Sequence, residues 1–404
     1  MTSTLLYIDP GTGSLLISAV VGFFLTLLFT LKGFFFKLSY MFSGKGDGYL
    51  PDLTGEVVFF SEGKGYWRVF RPVIEEMICR KQRVTYLSAD RDDPGLAVSS
   101  DFVRTHYLGE IRQAIFHLNR LKADVCVMTT PQLDVIALKR SGNTRHYCHI
   151  IHSPTDVHAY KKFAFDYFDS VLCSSDAQIR NLRFLERERK TRVKEIFRTG
   201  CTYYDVFAPD KGESGDAVLL APTWGDRTFF KASGKEILRH LLAGGHQVIF
   251  RPHPQSWISD APLMGEIVRE FGEHPGLTID RAVSGEAAIR SSKLLICDIS
   301  SGMVFDMAFG YKKPVVAVSF DWKDGGYEAS DLPNETAAVE LLRDIGAVVD
   351  ARSLEGISRI VNQVADKEIT REIIDKHIFN FRSSGKVAAE QILSLRKISD
   401  DSAD

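Results

Sequence analysis

The chain has 404 residues, 45% of them hydrophobic and 25% charged, with a formal net charge of −2. That balance excludes a largely disordered chain and leaves room for two domains with substantial cores, while so small a charge gives no overall electrostatic drive toward nucleic acid. Six cysteines, at 79, 126, 148, 173, 201 and 297, form no Cys-x-x-Cys pair, and most sit in apolar runs. This is the usage of reduced core residues in a cytosol-facing protein.

The first predicted element is the stretch 10–31, 22 residues without a charge, followed by Lys32, Lys37 and Lys45. Its length matches the roughly 20 residues that cross a hydrocarbon core, although Gly11, Gly13 and Gly22 weaken it as a helix. Lysines flank only its C-terminal side, so the positive-inside rule predicts an N-terminus outside the cytoplasmic membrane and the rest of the chain on the cytoplasmic side. An interfacial helix and a buried apolar arm are the other readings. Residues 1–50 thus read as a membrane segment and linker. Neither Gly11-Thr-Gly13 nor Gly63-Lys-Gly65 completes a phosphate-binding P-loop.

From Thr54 onward, short apolar runs alternate with amphipathic stretches. Runs at 56–60, 84–87, 124–128, 146–151 and 170–174 read as buried strands, with helices over 66–80, 108–122 and 176–188. The polar stretch Ala208-Pro-Asp-Lys-Gly-Glu-Ser-Gly-Asp216 is the best linker, which separates a domain over 51–207 from one over 208–380. The alternation then resumes with strands at 217–222, 247–251, 293–297 and 314–318 and helices over 232–243, 301–309 and 354–366. A last helix over 383–396 and a charged tail fill 381–404. The expected fold is α/β, two Rossmann-like doubly wound domains facing across a cleft, preceded by the hydrophobic membrane segment.

Two strand ends carry chemistry. Arg251-Pro-His-Pro254 leaves the apolar run 247–250 with a guanidinium and an imidazole, and Asp298-Ile-Ser-Ser-Gly302 leads from another apolar run into a helix. In one parallel sheet these ends share a crevice, where helix amides after Ser300 and Ser301 suit an anion. Each alone also reads as a strand exit or a helix N-cap. The acidic residues and histidines show no metal-ligand spacing, and no cofactor is expected.

Several motifs resemble those of the CDP-glycerol glycerophosphotransferases. Ala221-Pro-Thr-Trp224 with Asp226 and Phe229, Arg251-Pro-His-Pro254, and Asp298-Ile-Ser-Ser301 through Asp306 and Pro314 carry the match. His152-Ser-Pro-Thr with Lys161 and Lys162, and Thr199-Gly-Cys with Asp205, are looser parallels. Ser153 and Gly225 depart from the family's usual glycine and arginine. The resemblance implies a GT-B-like fold and transfer of glycerol-phosphate or another polyol-phosphate from a CDP-linked donor to a hydroxyl of a membrane-linked glycan or polymer. It implies His152 as general base and His253 as its catalytic partner on the donor side. Arg251, Ser300, Ser301, Asp306 and Thr223 would contact the donor diphosphate or nucleotide, with Lys161 and Lys162 facing an anionic acceptor. A glycosyltransferase or epimerase using a UDP- or CMP-sugar and a non-catalytic envelope-assembly scaffold are the alternatives.

Overall fold

The computed structural model describes residues 51–208, 215–225, 228–320, 326–333 and 335–401. The expected membrane segment at 10–31 therefore lies outside the described residues. Among the described residues no helix is long and apolar enough to cross a membrane.

The first lobe is built on seven strands: β1 (Leu53–Ser61), β2 (Val84–Ser88), β3 (Val103–Tyr107), β4 (Ala123–Met128), β5 (Thr144–Ile150), β6 (Ser170–Cys173) and β7 (Glu195–Arg198). They pair in the order β3-β2-β1-β4-β5-β6-β7, every pair parallel. The second lobe has six: β8 (Ala217–Leu220), β9 (Val248–Phe250), β10 (Leu277–Ile279), β11 (Ser292–Asp298), β12 (Val315–Ser319) and β13 (Gly346–Asp350). Their order is β10-β9-β8-β11-β12-β13, again parallel throughout.

This is doubly wound topology twice over. The strand order reverses between β1 and β4 in one sheet and between β8 and β11 in the other, and ligands bind such sheets outside the carboxyl ends at the reversal. Each sheet is covered on both faces, so interior strands such as β4 and β11 are buried along nearly their whole length around apolar centres.

The helix predicted over 108–122 is shorter, Ile111–Leu118, closed at its start by a Glu110–Gln113 capping box. The helix predicted over 301–309 begins as Met303–Phe305 and continues through Asp306–Tyr311 with π-type bonding. The final helix, Ser384–Asp401, returns to the first lobe, where Ala388, Ala389, Ile392 and Leu395 join Val57, Phe59, Val69 and Phe70 in one cluster. Asp205 fixes its start by accepting the amide hydrogens of Ser384 (3.1 Å) and Gly385 (2.6 Å). Gly200 (φ +99°) lets the chain pass there, because a Cβ at this position would stand 2.3 Å from the Phe379 carbonyl oxygen.

Ile392 is fully buried in that cluster, so Ile392→Ala should cost about 2–5 kcal/mol in chemical denaturation. A cost below about 1 kcal/mol would mean that the last helix is not part of the lobe's core.

Candidate active site

At the β8/β11 reversal the two strand ends are tied by one carboxylate. Asp298, fully buried at the end of β11, accepts the Thr223 amide hydrogen (2.6 Å) and hydroxyl (3.0 Å) on one oxygen and the Phe229 amide hydrogen (2.7 Å) on the other. Burial pushes its pKa up while these donors pull it down. The contact places Thr223, expected on the donor, against the turn that carries Ser300 and Ser301. Ser301 is buried, its amide bonded to the Asp298 carbonyl (2.9 Å) and its hydroxyl accepting the Met303 amide hydrogen (3.3 Å); Ser300 is exposed.

β9 ends on the other side of β8. His253 is exposed and stacks on Trp224 (5.5 Å between centroids, 25° between planes), so the β8 and β9 loops meet through their rings. The Gln255 amide donates to His253 Nδ1 (3.1 Å), which leaves Nε2 to carry the hydrogen of the neutral ring and donate outward. Arg251, expected on the donor diphosphate, turns toward the loop after β10. Its guanidinium is paired with Asp280 (2.5 Å) and donates to the Val283 carbonyl (3.3 Å), so it braces the loop after β10, and a carboxylate already balances its charge.

That loop forms one wall of a cavity of about 570 Å³ between the lobes. Ser284, Gly285, Met303, Asp306 and Tyr311 line it from the second lobe, and Trp67, Arg68, Arg71, Tyr203 and Phe207 from the first. The volume falls in the range of small-molecule sites. Asp306 accepts the Tyr204 hydroxyl (3.0 Å); burial raises its pKa, and Tyr204 and Arg68 counter that. The arginines, at the start of the Trp67–Cys79 helix, were not singled out in the sequence because nothing in that helix marks which face meets the other lobe.

In the first lobe, β5 delivers His152 into a loop held by Gln178, whose amide donates to the carbonyls of Ser153 (3.3 Å) and Thr155 (2.9 Å). Asp156 in the same loop accepts the Ala337 amide hydrogen (2.7 Å) of the second lobe, so the loop is joined to both lobes. Thr155, Asp156 and His158 share a smaller cavity of about 160 Å³ with Ser300, Ser301 and Phe305. The loop that carries His152 and the serine turn thus face one space, although neither His152 nor His253 lines this cavity or the larger one. Burial lowers the pKa of His152, keeping it neutral at physiological pH. Its Nδ1 lies 3.2 Å from the Tyr160 hydroxyl.

Lys161 and Lys162, expected to meet an acceptor, are engaged between the lobes. Lys161 lies over the Tyr327 ring (3.8 Å to the centroid) and Lys162 pairs with Asp331 (2.6 Å). They belong to a clasp centred on Glu328, which is fully buried, bonded to Arg189 and to the Ala164 amide (2.9 Å). Arg189 also holds Asp166 (2.9 Å) and Asp331 (2.8 Å). Guiding an acceptor does not follow from this geometry. Among the described residues no group of three or more His, Cys, Asp or Glu side chains could hold a metal ion.

No protein-family model matches the chain, and no curated protein matches it. Solved structures do. The wall teichoic acid polymerase TagF is similar at 16% identity over 94% of this chain and 98% of that one (TM-score 0.48). UDP-GlcNAc 2-epimerases from Methanocaldococcus jannaschii (13% identity, 85% and 99% of the chains, TM-score 0.51) and Neisseria meningitidis (12%, 84% and 99%, TM-score 0.50) are similar too. The likeness is one of fold, two parallel-sheet α/β lobes in the GT-B arrangement.

His149, fully buried against Phe165 and Phe168 (both 5.0 Å), is pushed down to about 3, first by burial. Between that value and the unfolded value of roughly 6.5, only the unfolded chain binds this proton, so stability falls as pH falls through the window. His149→Phe should remove about 1.4 kcal/mol per pH unit from the slope between pH 4 and 6 in denaturation experiments. An unchanged slope would show that His149 takes up its proton in the folded state.

Proposed function

We propose that the chain is a transferase that moves glycerol-phosphate, or another polyol-phosphate, from a CDP-linked donor to a hydroxyl of a membrane-linked envelope glycan or polymer. One observation carries the reading: the loop bearing His152 and the turn bearing Ser300 and Ser301 line one space between two lobes, at a strand-order reversal where anionic ligands bind parallel sheets. The choice of a CDP-linked polyol rests on the three motifs at 221–229, 251–254 and 298–306. The stretch 10–31 would anchor the chain at the cytoplasmic membrane, with both lobes on the cytoplasmic side.

In this reading the donor nucleoside enters the larger cavity, where the Asp306 carboxylate suits ribose hydroxyls and Arg68 and Arg71 suit phosphate. The diphosphate reaches toward the Ser300–Ser301 turn, Thr223 and His253 Nε2–H. His152 takes the proton of the acceptor hydroxyl as its oxygen attacks the distal phosphorus. The new P–O bond forms, the bond to the bridging oxygen of the diphosphate breaks, and CMP leaves with the electron pair, its charge met by His253 and the serine turn. Neutral His152 is the active form, so activity is lost as pH falls through its pKa, below the ordinary imidazole value of about 6.5.

The full chain should be stabilised against heat by CDP-glycerol or CDP-ribitol more than by UDP-GlcNAc or CMP-sialic acid. His152→Ala should lower CMP release from CDP-glycerol over isolated envelope membranes by about 10²–10⁴-fold without weakening donor binding. Stabilisation by UDP-GlcNAc alone would point to the glycosyltransferase or epimerase reading. Full cellular function in His152→Ala and His253→Ala chains would point to a scaffold.

A further inference from the structure

We propose that Tyr160 is the positioning residue for His152, and that the 326–331 segment of the second lobe holds Tyr160 in place, so that the general base is oriented through the contact between lobes. The inference rests on the reading of His152 as base. For Nε2 to accept a proton from an alcohol, the hydrogen of the neutral ring must sit on Nδ1, and Nδ1 faces the Tyr160 hydroxyl at 3.2 Å. In the active tautomer the phenol oxygen therefore accepts from Nδ1–H. A tyrosine takes the place that a carboxylate holds in a Ser-His-Asp triad. The titratable groups facing His152 are Tyr160, Tyr66, whose ring stands perpendicular at 5.4 Å, and His149 of β5, which stays neutral.

Tyr160 is itself held from both lobes: its ring packs on Phe165 of its own lobe (4.8 Å), and its carbonyl accepts the amide hydrogen of Glu328 from the other (2.9 Å). The next residues continue the contact like an added strand: Lys161 bridges antiparallel to Tyr327, the Lys162 amide donates to the Gly326 carbonyl (3.0 Å), and the Ala164 amide donates to the Glu328 carboxylate (2.9 Å). Arg189 secures that carboxylate. Moving the 326–331 segment thus moves the residue that chooses the tautomer of the base.

The test is ¹⁵N NMR of the histidine-labelled full chain in detergent, with the His152 signal identified by its loss in His152→Ala. The wild-type ring should carry its hydrogen on Nδ1. In Tyr160→Phe the Nε2–H form should predominate and the titration midpoint should fall, because the lost acceptor favoured the imidazolium. Glu328→Gln, which keeps the phenol but weakens the clasp, should shift the tautomer in the same direction. CMP release by Tyr160→Phe should drop about tenfold in kcat with KM within twofold. A wild-type Nε2–H tautomer, an unmoved midpoint in Tyr160→Phe, or a midpoint that rises would overturn the role of Tyr160; an unmoved tautomer in Glu328→Gln would overturn that of the segment. If the tautomers behave as expected while His152→Ala keeps full turnover, the base reading fails and the positioning stands.

Discussion

The carboxylate of Asp298 is the constraint on which the second lobe's chemistry depends. A carboxyl group taken wholly out of water needs its hydrogen bonds satisfied, and here the donors include two backbone amides and a hydroxyl from the adjacent loop. Satisfying them therefore fixes the shape of that loop. Trp224 is set next to Thr223, His253 is set by stacking on Trp224, and Ser301 is set because its own amide bonds to the Asp298 carbonyl. One buried group organises three strand ends, and it does so without lining either cavity.

The sequence revealed strands in proportion to how deeply they are buried. Every strand visible as an apolar run lies inside a sheet, whereas β3, β7, β10 and β13, which the alternation did not mark, are the four sheet edges. Edge strands face solvent along one side, and β3, β7 and β10 carry residues such as Arg104, His106, Glu195 and Thr278 that break any apolar run, while β13 is a short run behind Gly346. The site followed the same logic. Thr223, His253 and the serines were legible because strand-end motifs are local in sequence. The clasp was not, since Glu328 and Arg189 meet across 139 positions and a glutamate in a polar stretch announces nothing about burial. Lys161 and Lys162 were expected to face an anionic acceptor, and their engagement was not legible for the same reason: their partners, Tyr327 and Asp331, lie in the other lobe.

The two lobes make different contributions to the space between them. The second offers the Ser300–Ser301 turn at a strand-order reversal; the first offers the loop after His152, whose Thr155, Asp156 and His158 line the smaller cavity and which Asp156 tethers to the Ala337–Ile345 helix of its neighbour. GT-B architecture hosts many reactions, so the arrangement of lobes does not choose among them. The strand ends here carry Thr223, His253, Ser300 and Ser301 around the buried Asp298.

The return of the Ser384–Asp401 helix to the first lobe also has a bearing on biosynthesis. Ala388, Ala389, Ile392 and Leu395 complete a face of a sheet whose strands leave the ribosome much earlier. That sheet must wait, with part of its apolar surface open, while the second lobe is translated. The lobe made first is finished last, and a ribosome that stalls before Ser384 releases a nascent chain exposed to aggregation and to chaperones.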